Sequence, residues 1–218
     1  MYIKLILAIA CVVSIHLITM AFCAWVLGIT VRMITFGIGP QILTLGLFRF
    51  SLIPVGGNVR LAMLSDMPEG DFATGALDRA ERWKRVLLPL SGPLALLGVG
   101  VILLGRPAFD QFLQAFPQLL GGTISPLGTA QDLLHDASKT LRSLSTIQVV
   151  GVSACKVAAF NLLPFLGSNG LAAATAWLPQ VTLDGKVMMR FQSMLILPFT
   201  LLLMASWSLA TAAFLFSQ

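Results

Sequence analysis

The sequence predicts an all-α membrane protein with about four transmembrane helices and a membrane-embedded β-hairpin. Of its 218 residues, 57% are hydrophobic and only 11% are charged, and the mean hydropathy is +0.89. A soluble domain carries about 25% charged residues, so a chain this poor in charge needs the bilayer as part of its solvent. Four apolar runs are long enough to span a membrane, whereas a fifth is broken by glycine and proline.

The first two apolar runs differ in character. Residues 3–31 are long enough to cross a membrane as one helix, and we expect a retained span rather than a cleaved signal peptide. Residues 36–63 contain glycine and proline at a density that does not form a membrane helix. The β-like stretches at 41–48 and 50–55 predict a hairpin, which is re-entrant or interfacial because lipid cannot satisfy irregular backbone.

Three further spans are predicted at residues 86–104, 147–165 and 191–216, with an extracytoplasmic connector at 105–146. The connector is too short for a folded domain, so we expect interfacial helices. The chain therefore forms one polytopic domain, residues 1–218. The orientation follows from the positive-inside rule, which places a basic cluster before the second predicted span in the cytoplasm and both termini outside. The cluster consists of Arg79, Arg82, Lys84 and Arg85.

Composition also limits the classes of molecule that are expected to bind this protein. The basic cluster has neither interleaved aromatic residues nor a soluble module, so no nucleic acid is predicted as a partner. The expected partners are membrane lipid and one or more membrane proteins. Cys11, Cys23 and Cys155 lie in apolar segments without the spacing of a metal site, which is typical of small buried hydrophobes.

Five stretches in chain order resemble landmarks of the site-2 proteases, a family of intramembrane zinc metalloproteases. The resemblance covers nearly the whole chain and implies a site-2-protease-like core in an integral, multi-pass protein of the bacterial cytoplasmic (inner) membrane. The PDZ domains that many members carry have no counterpart in the short connector. The matching stretches are residues 28–40, residues 52–57, Ser91-Gly92-Pro93, Ser125-Pro-Leu-Gly128, and Phe160-Asn-Leu-Leu-Pro164 followed by Asn169-Gly170.

The catalytic motif of that family is degenerate here. The family places His-Glu-x-x-His on its first core helix, where two histidines share a zinc ion and the glutamate activates water. At the family's usual distance before Gly28, this chain has His16, then Leu17, then Met20. The aspartate that supplies the third ligand is replaced by Asn169. The resemblance therefore identifies His16, Met20 and Asn169 as a degenerate metal site.

These replacements remove the groups that would bind zinc and activate water. Leu17 cannot carry a proton, and the Met20 thioether is a poor zinc ligand. No aspartate or glutamate occurs between Met1 and Ser65 or between Ala137 and Leu183, so no substitute base is at hand. We predict no catalytic residue, no bound metal and no cofactor. His16 is then a polar group satisfied within the helix bundle; a metal or haem ligand acting with Met20 is the alternative.

The resemblance also implies a cleft for a partner or substrate. Lys156 falls near the middle of the third predicted span, where a charge is expensive and usually faces a partner or water. Either it extends to the membrane surface, or another protein supplies a carboxylate. For Asn161, the competing interpretation is that it only packs within an interrupted helix and does not contact a partner. The predicted cleft residues are Gly56, Gly57, Lys156, Asn161, Pro164 and Gly170.

The favoured function is that of a catalytically inactive scaffold or complex subunit. It would bind transmembrane or extended segments of partner proteins, the latter by addition to a strand edge. The alternative is an active intramembrane metalloprotease with unorthodox metal ligands. A transporter or channel has only the several spans and Lys156 in its favour.

Overall fold

The computed structural model describes residues 2–64, 75–177, 190 and 192–217, and these residues are mainly helical. A 3-10 turn at Leu77–Arg79 precedes the second helix, and a π-helical turn at Gln192–Ile196 leads into the last. The elements in chain order are α1 (Tyr2–Val26), β1 (Val31–Leu45), β2 (Phe48–Leu61), α2 (Arg82–Leu104), α3 (Pro107–Ile124), α4 (Thr129–Ser143), α5 (Thr146–Leu162), α6 (Asn169–Trp177) and α7 (Leu197–Phe216).

Within the described part of the chain, three helices are long and apolar enough to cross a membrane: Ile3–Val26, Arg82–Leu104 and Gln192–Phe216. The span predicted at 147–165 is α5, which is apolar but has only 17 residues. It ends early because Pro164 disfavours helical backbone at Leu163, whose ψ is 143°. Its length of about 25 Å falls short of a hydrocarbon core of about 30 Å.

The first helix is shorter than the predicted 3–31. It ends at Val26, and Gly28 adopts a left-handed φ of 73°, which is typical of a helix end. The Ile29 backbone N–H still donates to the Ala24 carbonyl at 2.8 Å, and β1 then begins at Val31. The prediction that residues up to 31 continue the helix is therefore wrong, because glycine and the following β-branched residues favour extended backbone.

The predicted hairpin is present, but its strands begin earlier and are longer than predicted. The strands β1 and β2 pair antiparallel around a turn at Gly46. Each strand also bends, so that Ile34 of β1 lies between Val59 on one side and Phe48 on the other. The bend in β1 occurs where Gly37 and Gly39 adopt positive φ.

The distal part of the hairpin exposes large apolar side chains, including Ile38, Ile42, Leu52 and Ile53. Such a surface suits lipid rather than water. The opposite edge of the folded-back hairpin is formed by the end of β2. Among the described residues this edge pairs with β1 alone, and Val59 and Leu61 near it line the cavity described below.

The α2 helix is central and packs against α1, α5 and α6. Small residues allow its close approach to α5: a Cβ at Gly100 would lie 2.3 Å from the Cys155 sulfur. Cys155 is therefore buried as expected, whereas Cys23 is partly buried and Cys11 is exposed.

The connector forms the two helices α3 and α4, in a segment where the sequence predicts helices. The α3 helix joins the bundle, where the Trp207 indole N–H donates to the Leu119 carbonyl at 3.0 Å. The α4 helix contacts α7 through Gln131, whose amide donates to the Ala210 carbonyl at 2.8 Å.

Candidate partner-binding cleft and degenerate metal site

The three residues of the degenerate metal site meet in space. His16 and Met20 lie one turn apart on α1, and Asn169 is the first residue of α6. The Asn169 amide nitrogen is 3.3 Å from His16 Nε2 and 3.3 Å from the Met20 sulfur. Positions 153 residues apart are thus brought together in the arrangement that the resemblance implies.

The same amide nitrogen donates a hydrogen bond of 2.7 Å to the backbone carbonyl of Pro89 in α2. This carbonyl has no helical partner, because the residue four positions later is Pro93, which has no N–H. A buried carbonyl without a partner is costly, so Asn169 satisfies a group that the α2 sequence itself leaves open. One asparagine thereby joins α1, α2 and α6.

Three acceptors around one nitrogen also determine which way the Asn169 amide faces. The Pro89 carbonyl can only accept, so it requires the N–H₂ side of the amide. The second N–H then points at His16 Nε2 and the Met20 sulfur. The Nε2 lone pair of His16 accepts from an amide and is not directed into open space.

Gly92 makes room for the His16 ring. A Cβ at position 92 would lie 2.5 Å from both Cε1 and Nδ1 of His16, closer than real atoms approach. His16 is 8% exposed, and its Nδ1 has no hydrogen-bond partner within the described ranges. The Ser91-Gly92-Pro93 stretch therefore has two local effects: glycine admits the imidazole, and proline frees the carbonyl that Asn169 binds.

Leu17 is the residue that the resemblance places at the position of the catalytic glutamate. It is 2% exposed and packs with Ile34 and Val59 between α1 and the hairpin. A Cβ at Gly57 would lie 2.5 Å from Leu17 Cδ1, so the strand approaches the leucine as closely as glycine allows. An ionised side chain at this position would be buried among aliphatic groups.

The residues present do not fit the zinc ion of the family. The donors that meet here are one imidazole, one thioether and one neutral amide, which presents N–H groups rather than oxygen to the imidazole. Zinc prefers thiolate, imidazole and carboxylate ligands. Among the residues that the structure describes, no three histidine, cysteine, aspartate or glutamate side chains are grouped to hold a metal.

Beside the degenerate site lies a cavity of about 830 Å³. Met20 and Asn169 form part of its wall, and Val59 and Leu61 of β2 line it as well. Most of its lining is apolar. The remaining lining residues are Met63, Leu77, Asp78, Arg85, Leu88, Pro89, Leu166, Gly167, Ser168, Leu171, Ala172, Thr175, Ala176 and Gln192.

Two charged residues of the lining were not singled out from the sequence as binding residues. Asp78 accepts the Leu64 backbone N–H at 3.0 and 3.2 Å and so holds the chain just after β2. In the sequence, Arg85 served only as one of the basic residues that indicate the cytoplasmic side. In the structure its Nε is buried without a hydrogen-bond partner among the described residues. No sequence motif marks either residue, because both reach the cavity through tertiary packing.

The predicted cleft residues lie elsewhere, since none of the six lines this cavity. Gly170 permits close contact between α5 and α6, because a Cβ there would lie 2.1 Å from the Leu162 carbonyl oxygen. The Asn161 amide donates to the Val157 carbonyl of its own helix at 2.9 Å, and Pro164 is exposed beyond the helix end. Gly57 contacts Leu17, whereas Gly56 adopts a φ of 80°.

Lys156 has a partner that the sequence did not suggest. Its ammonium donates to the Gln118 side-chain oxygen at 2.7 Å, between α5 and α3. The sequence had suggested either that Lys156 extends to the membrane surface or that another protein supplies a carboxylate. Both alternatives assumed that the bundle itself has no partner for the ammonium. Gln118 was missed because it lies in a segment interpreted as an external connector.

The position of Asn169 depends on a helix cap. The Ser168 hydroxyl accepts the Leu171 backbone N–H at 3.0 Å and is 3% exposed, so it caps the start of α6. A serine before an apolar helical stretch is a signal that sequence reasoning can use.

The family model of peptidase family M50 matches residues 4–205 of the chain. The match includes α1, the hairpin, the cavity lining and Asn169, and it extends into α7. A comparison with curated proteins gives no match.

Proposed function

Because the chain belongs to peptidase family M50, the site-2 protease family, we propose that it is a catalytically inactive member that holds segments of partner membrane proteins. Family membership and three apolar helices make it a membrane protein. The observation that carries the proposal is the contact set of Asn169. Its amide N–H groups are directed at His16 Nε2, the Met20 sulfur and the Pro89 carbonyl.

Loss of hydrolytic chemistry follows from the side chains themselves. Peptide hydrolysis by this family's route needs an activated water and a group that transfers its proton. Leu17 has no such group and is packed against the hairpin. Met20 and Asn169 hydrogen-bond with each other rather than present two anionic or imidazole donors. These contacts support a structural role for positions that are catalytic in the family.

Binding is supported by the cavity and its strand edge. A volume of about 830 Å³ lies within the range of about 300–1,000 Å³ that is usual for ligand sites. Among the described residues the end of β2 pairs with β1 alone, and Val59 and Leu61 line the cavity, which supports the addition of an extended segment to β2 as a strand. The apolar lining suits a transmembrane or unwound segment, and Asp78 and Arg85 provide polar contacts for its end.

The proposal extends to topology. The chain is one polytopic domain of the bacterial cytoplasmic membrane, with α5 as a short fourth span and the hairpin re-entrant. The connector is then extracytoplasmic, with α4 on that side and α3 returning into the bundle beside α5. The basic residues before α2 support this orientation under the positive-inside rule.

Filling the cavity tests partner binding. Ala172→Trp places an indole on an exposed position of α6 that lines the cavity, whereas Ala174→Trp makes the same change at an exposed position outside the lining. We expect the partner that co-purifies with the wild type in mild detergent to be lost from Ala172→Trp and retained by Ala174→Trp. Equal retention by both variants would refute the cleft as the binding site.

Metal analysis distinguishes the proposed inactive protein from the alternative, an active metalloprotease. An active metalloprotease with unorthodox ligands requires stoichiometric zinc that falls when His16 is replaced by alanine. The proposal expects zinc far below one per chain in the wild type and no change in His16→Ala.

A further inference from the structure

One cationic side chain of the cleft has an unsatisfied donor. Arg85 and Asp78 are the charged residues of the cavity lining. The Arg85 Nε is buried and has no hydrogen-bond partner within the described part of the chain. A buried donor without an acceptor costs free energy, and the cost is larger when the group is charged. An acceptor that enters the cavity is therefore stabilised at this position.

The described acidic residues that precede Arg85 bond to other groups. The Asp78 carboxylate accepts the Leu64 backbone N–H at 3.0 and 3.2 Å. One Glu81 oxygen accepts the Trp83 indole N–H at 2.6 Å. These contacts direct both carboxylates toward groups other than Arg85, so the occupant of the cavity is the remaining source of an acceptor within the described structure.

The backbone of α2 adds an acceptor at the same place. A helical carbonyl accepts the N–H four residues later, and for Arg85 that residue is Pro89, which has no N–H. Pro89 also lines the cavity, one turn beyond Arg85. This part of the wall thus combines a guanidinium donor with a carbonyl that lacks its helical donor. The two groups match the carboxylate and the backbone N–H of one acidic residue.

Two tryptophans indicate where Arg85 lies in the membrane. Trp83 at the start of α2 and Trp177 at the end of α6 are 53% and 66% exposed. The Arg82 guanidinium lies 5.1 Å from the centre of the Trp177 ring. Exposed tryptophans are typical of the boundary between membrane and water. Arg85 follows Arg82 by about 4.5 Å along α2, so it lies between this boundary and the degenerate metal site.

We infer that the partner segment held in the cleft carries an acidic side chain that pairs with Arg85. The inference rests on the proposed function and names the chemistry of the partner: an apolar segment with an aspartate or glutamate where it enters the membrane. The apolar part contacts lining residues such as Val59, Leu61 and Leu171, while the carboxylate accepts from the guanidinium fork. A neutral or basic residue at that position of the segment weakens binding.

The test uses the full-length protein in nanodiscs and two short peptides of alternating valine and threonine, capped at both ends, with a neutral fluorescent label. One peptide has an aspartate at its first position and the other has an asparagine there. Fluorescence anisotropy measures the binding of each peptide to the wild type, to Arg85→Gln and to Arg79→Gln. Arg79 is exposed in the turn before α2 and lies outside the cavity lining, so Arg79→Gln is the matched control for losing one positive charge.

We expect the wild type and Arg79→Gln to bind the aspartate peptide at least about tenfold more tightly than the asparagine peptide, because a charged acceptor strengthens the hydrogen bonds. Arg85→Gln should bind both peptides alike, and Arg85→Lys should retain part of the preference because it keeps the charge. Thermal melting identifies any variant that is unfolded. Equal binding of the two peptides by the wild type would overturn the inference, whatever the variants do.

The variant Ala172→Trp separates this inference from the proposed function. If the peptides bind without preference and Ala172→Trp excludes them, Arg85 has no such role and the cleft remains the binding site. If neither peptide binds, or if Ala172→Trp does not weaken binding, the cleft itself is refuted as well.

The acidic residues of the chain that lie outside the described ranges are tested in the variant Asp66→Asn/Glu69→Gln/Asp71→Asn. We expect it to show the same preference for the aspartate peptide as the wild type. A preference that appears only in this variant would overturn the inference, since Arg85 would then pair within the chain.

Discussion

The side-chain amide of Asn169 donates a hydrogen bond of 2.7 Å to the backbone carbonyl of Pro89. An aspartate, which is the zinc ligand at this position in site-2 proteases, has no N–H in its ionised form and cannot make this bond. The asparagine therefore stabilises the junction of α1, α2 and α6 through hydrogen bonds, in the place where the family uses a metal ion.

Replacing Asn169 by aspartate should destabilise the protein. The carboxylate would face the Pro89 carbonyl and His16 Nε2, both of which are acceptors, and we expect a loss of about 1–3 kcal/mol. Thermal melting in detergent measures it. Asn169→Ala removes the bonds without adding repulsion and should cost less. An aspartate variant as stable as the wild type would contradict the assigned orientation of the amide.

Gly92→Ala should destabilise the α1–α2 contact. The new Cβ would lie 2.5 Å from two atoms of the His16 ring, and overpacking of this kind costs about 1–3 kcal/mol. Gly98→Ala is a matched control on the same helix, where a Cβ meets nothing within 4 Å, and it should be neutral or slightly stabilising.

Removing the imidazole should relieve this clash. In the double variant His16→Ala/Gly92→Ala the glycine substitution should cost much less than in the wild type, which a double-mutant cycle of melting curves measures. Additive effects would show that His16 and Gly92 do not share the contact.

Restoring the family's ligands should restore metal affinity. The triple variant Leu17→Glu/Met20→His/Asn169→Asp places two histidines four residues apart and adds two carboxylates, which is a zinc-binding set. We expect zinc to rise toward one per chain by metal analysis, at a cost in stability because position 17 is buried. His16→Ala in this background should abolish the gain; zinc retained without His16 would place the metal elsewhere.

The Lys156–Gln118 hydrogen bond makes a further prediction. Gln118→Leu should destabilise the bundle by about 1–3 kcal/mol, since the half-buried ammonium loses its 2.7 Å acceptor. Adding Lys156→Met should recover much of the loss, because both polar groups are then removed. The melting temperatures of the single and double variants measure this, and an equally unstable double variant would contradict it.

The same lysine was also predicted to mark a partner-binding face. If it does, Lys156→Leu should weaken co-purification of the partner even where stability is kept. Unchanged complex formation would show that Lys156 does not contribute to partner binding, which leaves its contact with Gln118 as its role.

Some of the fold follows from local patterns. The many glycine and proline residues between 36 and 63 predicted a hairpin instead of a helix, because at such a density both residue types disfavour helical backbone. The strand bounds were missed, since Val31 begins β1 where an apolar run alone could equally continue a helix. The span predicted at 147–165 is longer than α5 because the apolar run continues past the helix end, whereas Pro164 restricts Leu163 to extended backbone.

The candidate site also has a part that could be predicted from the sequence and a part that could not. His16, Met20 and Asn169 were identified through the resemblance to the site-2 proteases, and in the structure the Asn169 amide lies 3.3 Å from both His16 Nε2 and the Met20 sulfur. The lining of the cavity was not located, because Val59, Arg85 and their neighbours carry no motif and meet only when β2, α2 and α6 pack.

The sequence by itself determined that this is a membrane protein that resembles the site-2 proteases, with leucine, methionine and asparagine where the resemblance places the glutamate, the second histidine and the aspartate. Composition, order and spacing are properties of the chain that need no contacts to read. The tertiary structure decided what those residues contact: the amide of Asn169 faces the Pro89 carbonyl, and Leu17 is buried against the hairpin. Each of these depends on contacts between segments far apart in sequence, whose geometry local preferences do not specify.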